Sequence, residues 1–183
     1  MTDPFIQTVS GRCIDFTNPQ PEDIDIEEIA HSLGLLCRFG GHCKEFYSVA
    51  EHSVRCAALA KEMNLSEDLQ LEALLHDAAE AYIVDMPRPI KYTLKGYKEV
   101  ETIFDKVIRD KYGLPPEMSK EVHLIDNTLL STEKRDLMNP SDLEWSALPD
   151  PLQKRIYPHD HEDATFNFMV EFHSLTNKYK KVA

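Results

Sequence analysis

Apolar residues recur at the helical period in one stretch after another, and nothing between them shows the βαβ alternation of a parallel sheet. Ile26, Ile29, Ala30, Leu33 and Leu36 or Cys37 share one face of a helix that Asp23 or Asp25 can cap and that runs to about Arg38. FGGH (39–42) ends it, because Gly40 and Gly41 permit backbone angles that other residues avoid. A second helix starts near Ser48, turns Val49, Ser53, Cys56, Ala57 and Ala60 inward, and stops at Asn64. Ser66 caps a third, SEDLQLEALLHDAAEAYI, with acids in the first turn where the helix dipole favours them. MPRP (86–89) stops that helix, since proline lacks a donor and restricts its predecessor. A fourth spans Tyr97 to Tyr112, closed by Gly113 and Pro115-Pro116. A fifth, from Glu117 to Met138, carries Met118, Val122, Ile125, Leu129 and Thr132 on one stripe. The last, Asp160 to Lys180, has Phe166, Met169, Val170, His173 and Leu175 at core spacing. The pattern predicts an all-α, single-domain helical bundle over 1–183, with an N-terminal arm (1–22, a short strand at RCIDF) and a proline-rich loop (139–159).

The 183 residues suffice for one domain with a real core and are few for two. A net charge of -12 argues against stable binding to duplex nucleic acid, which needs a basic surface. No apolar run reaches the length of about 18 that a membrane span needs. MTDPFIQTVSGRC lacks the basic-then-apolar order of a signal peptide, so a cytoplasmic location is expected, or the host cytoplasm for a phage-encoded chain. Cys13, Cys37, Cys43 and Cys56 form no CxxC and read as reduced thiols.

The informative residues are polar ones that the period assigns to the core, where a charge is costly unless paired or metal-bound. His52 lies on the inner face of the second helix, His76-Asp77 in the apolar run of the third, and Asp126 in the stripe of the fifth. Two imidazoles and two carboxylates on different helices make a ligand set for a divalent cation: Mn²⁺, Co²⁺, Zn²⁺, Fe²⁺ or Mg²⁺. Adjacent His76 and Asp77 point about 100° apart on a helix, so both reach one ion only where helices converge. Such a set leaves room for water and a phosphate oxygen, an open and catalytic arrangement. His31, His42, His123, His159 and His161 have no comparable partners, and HDHED (159–163) reads as an exposed helix start.

The order His52 … His76-Asp77 … Asp126 resembles the H…HD…D signature of HD-domain metal-dependent phosphohydrolases. YSVAEHS (47–53), HDAAEAYIVDMPRPIKY (76–92) and Asp126-Asn127 further resemble the small bacterial HD-domain 5'-deoxynucleotidases and related phage deoxyadenosine triphosphate triphosphohydrolases. The resemblance covers roughly Ile26 to Leu130. It implies an all-α bundle, often a homodimer or higher homo-oligomer, with the metal on His52, His76, Asp77 and Asp126. It implies Glu80 and Asp85 as the acids that activate water and handle the leaving oxygen. Arg38 matches the family's Arg-aromatic pair that contacts phosphate and nucleoside, although Phe39 stands where relatives often carry Trp. Lys91, in the PIK run, matches a phosphate contact.

The residues support that chemistry independently. On a continuous helix Glu80, four after His76, shares its face and can take a proton from water. Asp85 falls past the helix end. Arg38, Arg88 and Lys91 bracket the motifs with positive charge in an acidic chain. The expected activity is cleavage of a deoxynucleotide's 5'-phosphoester. These cations incline the reading to a dNTP triphosphohydrolase, dATP among its substrates, with a 5'-deoxynucleotidase as the alternative. A non-catalytic nucleotide-sensing module and a cyclic-nucleotide phosphodiesterase rank lower.

Overall fold

The computed structural model of the chain describes residues 4–142, 145 and 147–176. Residues 143, 144 and 146 of the proline-rich stretch, and 177–180 of the last expected helix, lie outside the described residues. β1 (Phe5–Gln7) pairs antiparallel with β2 (Cys13–Asp15), Ile6 opposite Ile14. The strand expected at RCIDF is therefore half of a hairpin whose other half shows no alternation of its own. α1 (Ile26–Leu35), α2 (Val49–Glu62), α3 (Glu67–Leu75), α4 (Glu80–Ile83), α5 (Arg88–Lys91), α6 (Tyr97–Tyr112), α7 (Lys120–Leu137) and α8 (His161–Thr176) follow. The fold class is all-α.

Side chains set the starts of the long helices. Asp25 accepts from the backbone N–H of Glu27 and Glu28, Ser48 from Glu51, Ser66 from Leu69 and Ser119 from Val122. Each satisfies donors that the first turn leaves unpaired, and losing one costs about 0.5–2 kcal/mol. α2 is the hub, packing against α1, α3, α7 and α8. Its alanines and Ser53 are small enough to let four neighbours approach, and Val49, Ala50, His52, Ser53, Cys56, Ala57 and Ala60 are all fully buried. One apolar cluster joins Ile29, Leu33, Leu74, Phe104 and Phe168; a second joins Tyr47, Cys56, Val122, Ile125 and Leu129. Each such side chain contributes roughly 1.5–3 kcal/mol by leaving water.

Two helices depart from expectation. In α8 the buried face is Ala164, Phe168, Phe172 and Leu175, while Phe166 is 67% exposed, Val170 49% exposed and His173 exposed. The helix carries apolar residues on more than one face, so periodicity alone could not choose. Close packing chose instead: a Cβ on Gly34 of α1 would lie 2.0 Å from Thr165 Oγ1, so α1 and α8 meet where one side has no side chain. The third expected helix is also not continuous. α3 ends at Leu75, and residues 76–79 form tighter turns in which the N–H of Ala78, Glu80 and Tyr82 donate to the carbonyls of Leu75, Asp77 and Ala79.

The proline-rich stretch is strapped to α7 rather than loose. The N–H of Leu152 donates to Thr132 Oγ1 (3.0 Å) and that of Ile156 to Asp136 Oδ2 (2.9 Å), with Ile156 buried. HDHED begins α8, where Asp160 accepts from the N–H of Asp163. All four cysteines are free. Among the described residues, no helix is long and apolar enough to cross a membrane.

Candidate metal centre and cavity

His52 stands in the first turn of α2 with no access to water, and His76 follows the last turn of α3. His76 Nδ1 lies 2.8 Å from the carbonyl of Ala73. A carbonyl only accepts, so Nδ1 carries the hydrogen and Nε2 is left with its lone pair. His52 Nδ1 lies 2.6 Å from Glu133 Oε1 and donates to it, which also frees its Nε2. The two Nε2 atoms face each other at 3.3 Å. Lone pairs so close repel unless positive charge joins them. Asp77 Oδ2 adds a negative oxygen 3.2 Å from His76 Nε2 and 3.7 Å from that of His52. Asp126 Oδ1, from α7, lies 3.5 Å from His52 Nε2 and 4.0 Å from His76 Nε2.

The four residues expected to act together therefore converge, and their donor atoms fit a divalent cation. The anions around the imidazoles draw positive charge to the cluster. Burial and Arg38 push the His52 imidazole down, yet Cys56, then Glu133 and Asp126, hold it well above the usual histidine range. His76 is likewise raised, by Asp77 and Asp126 against its burial. Burial pushes Asp77 up, but the two imidazoles and Arg38 outweigh it and hold it well below the usual carboxylate range. Asp126 is lowered to about 2 by the imidazoles against its burial. Cys56 Sγ also approaches His52 Nε2, at 3.5 Å, and His52, Cys56 and His76 form a second group whose ligand atoms lie within 4.8 Å of one another.

The cluster opens onto a cavity of about 990 Å³. His76, Asp77 and Asp126 line it, while Cys56 and His52 do not. Glu80 and Asp85 line it too. The break after α3 means that Glu80 does not reach the site as part of a continuous helix; it opens α4 after the tight turns. Glu80 is buried, with Oε1 3.4 Å from Lys91 Nζ and Oε2 without a partner. Burial, then the charges of Asp77 and Asp85, raise its carboxyl well above the usual range. Burial also raises Asp85. Val84, just before it, has φ 67° and ψ 155°, a region nearly reserved for glycine, so Asp85 is reached through strained backbone.

The expected cations are present, each already held. Arg38 is buried and donates from Nε to Glu133 Oε2 (3.2 Å) and from Nη1 to Asp77 Oδ2 (3.3 Å). Lys91 reaches Glu101 (2.7 Å) as well as Glu80. Arg88 donates to Asp126 Oδ2 (3.1 Å) and Asn127 Oδ1 (3.3 Å). Phe39 lines the cavity with φ 58°, in the turn that Gly40 and Gly41 continue.

Sequence reasoning missed Glu133 and Trp145. Glu133 is fully buried and receives His52, Arg38 and the Tyr47 hydroxyl (3.0 Å), so it orients a ring nitrogen of the cluster. The signal was available: Glu133 lies seven residues, two turns, after Asp126 and next to Thr132 on the buried stripe. Trp145 and Leu148 bring the proline-rich stretch to the cavity wall, which no periodicity announces.

The profile of the HD domain matches residues 49–144, more than half of the chain. The chain belongs to the HD domain family. HD domains bind divalent metals, and in general terms this one is a metal-dependent phosphohydrolase. It is 45% identical over 144 residues to the uncharacterized protein YfdR of Escherichia coli K12, covering 79% of this chain and 78% of that protein. It is 33% identical over 159 residues to RCAP_rcc00048 of Rhodobacter capsulatus, covering 80% and 81%. Against the 5'-deoxynucleotidase ECA3034 of Pectobacterium atrosepticum it is 32% identical over 111 residues, spanning only 52% of this HD protein and 55% of the relative.

Proposed function

We propose that the chain hydrolyses the 5'-phosphomonoester of a deoxynucleotide, releasing deoxynucleoside and phosphate, with one divalent ion on His52, His76, Asp77 and Asp126. The observation that carries the reading is the pair of Nε2 lone pairs 3.3 Å apart, flanked by two carboxylates at the floor of a large cavity. Asp77 and Asp126 are preferred to Cys56 because they face the cavity from which a phosphate oxygen arrives, and because burial raises the Cys56 thiol. Bound there, the ion supplies charge at phosphorus and a water of lowered pKa.

The remaining steps belong to side chains. Glu80, with an unpartnered Oε2, takes a proton from the attacking water as its oxygen bonds to phosphorus. Asp85, which lines the cavity just past the end of α4, gives a proton to the departing O5' as the P–O5' bond breaks. Lys91 keeps Glu80 oriented through Oε1.

Arg38, Arg88 and Lys91 inclined the sequence reading to a triphosphate. All three already neutralise carboxylates, leaving little positive charge for second and third phosphates. The relatives named 5'-deoxynucleotidases support the same choice. Incubation with Mn²⁺ or Co²⁺ and a panel of dNMPs and dNTPs tests it. Inorganic phosphate from dNMPs is expected. Triphosphate released from dNTPs alone would restore the triphosphohydrolase, and no hydrolysis at all would favour the sensor.

A further inference from the structure

The proline-rich stretch contributes the chain's one tryptophan to the cavity wall, a residue beyond the family match and without a role in the hydrolysis above. Its ring centroid lies 6.2 Å from that of Phe39, with the planes inclined at 53°. Lys134 Nζ stands 5.1 Å from the Trp145 centroid, and Arg38 Cζ 5.5 Å from that of Phe39. Contacts thus run without interruption from the cluster outward: Asp77 to Arg38, Arg38 to Phe39, Phe39 to Trp145. Arg88 holds Asp126 and Lys91 holds Glu80. The aromatic part of the lining is therefore the pair Phe39 and Trp145, reached through Arg38.

We propose that Phe39 and Trp145 form the surface that receives the nucleobase, with Trp145 acting as a base-binding residue; this rests on the deoxynucleotidase reading. A base does not slide between the two rings as they stand, because contact on both faces needs about 7 Å between parallel planes. It lies across the corner instead, stacked on one ring and edge-on to the other, as tilted aromatic groups prefer. Arg38 and Lys134 each cover one ring face, so the base takes a face they leave open. Stacking tolerates any base, since each has a π-face, so this corner selects for a base over none. It also answers the departure at position 39: the smaller Phe is supplemented by a Trp from a different part of the chain.

Two readings of the metal-loaded full chain test this. Trp145 is the only tryptophan, so intrinsic fluorescence reports on it alone. A deoxynucleoside should change that fluorescence saturably, whereas inorganic phosphate and 2-deoxyribose 5-phosphate should not. Trp145→Ala should lower the ratio of kcat/KM for a dNMP to that for 2-deoxyribose 5-phosphate by about 5- to 150-fold, with Trp145→Phe restoring most of it. A purely structural Trp145 would change both substrates alike and leave the ratio fixed. If Trp145→Ala fails to fold, Phe39→Leu should lower the same ratio, and the wild-type titration stands regardless. Nucleotide hydrolysis with no fluorescence response and an unchanged ratio overturns the aromatic corner but not the hydrolase. A saturable response to deoxynucleoside with no hydrolysis of any nucleotide overturns the hydrolase and keeps the corner.

Discussion

The floor and the walls of the cavity are built differently. The floor, His76, Asp77 and Asp126 with His52 and Glu133 packed behind them, comes from α2, the end of α3 and α7, helices that pack on one another. His52, His76 and Glu133 are buried, Asp77 and Asp126 half-buried, and all are tied to one another or to backbone, so their positions follow from the packing of the core. The walls come from the turn at 38–41, the segment from Asp85 to Lys91 and the stretch around Trp145. These segments contribute few core residues, and Arg88 is 56% exposed. The difference teaches a division: packed helices hold the expected metal ligands, while the wall segments carry Asp85, the cations and the aromatic rings that face the cavity.

Substitutions can break or sharpen that division. The largest effect is expected on the floor. Asp77→Ala should bring bound metal and turnover to background together, read by metal analysis and phosphate release; full retained activity would remove the cluster from the chemistry. Glu80→Gln should keep the metal yet lower kcat by about 10²- to 10⁴-fold. Equal loss of metal in that variant would make Glu80 a ligand. Glu133→Gln touches no substrate, yet it should weaken metal affinity by about 10- to 100-fold, measured by chelator competition. Unaltered affinity would mean that Glu133 serves only Arg38 and Tyr47. The smallest effect belongs to a wall. Val84→Gly should relieve backbone strain and raise stability by about 1 kcal/mol in denaturant titration, after glycine's own entropy cost is offset. A destabilised Val84→Gly would show that the strain is not there.

The same division explains what the sequence disclosed. His52, His76, Asp77 and Asp126 were legible because charged residues on apolar stripes violate a strong rule, and helical spacing located them. Glu133 obeyed the same logic and was recoverable seven residues past Asp126. The tight turns at 76–79 were not legible, since no glycine or proline marks them and His76-Asp77 interrupt an otherwise unbroken apolar run. The face of α8 was ambiguous between two apolar stripes until Gly34 and Thr165 are seen in contact. Trp145 was silent because a single aromatic in a proline-rich run has no period, and only the strapping of that run to α7 brings it to the cavity.

The central claim is that a divalent ion sits on the cavity side of the two histidines, with Asp77 and Asp126, rather than on the inner side with Cys56. Metal content after Mn²⁺ or Co²⁺ loading, measured in Asp126→Ala and Cys56→Ala side by side, tests it most directly. The account predicts a metal-free Asp126→Ala and a Cys56→Ala that still holds about one ion per chain; a metal-free Cys56→Ala beside a fully loaded Asp126→Ala would contradict it.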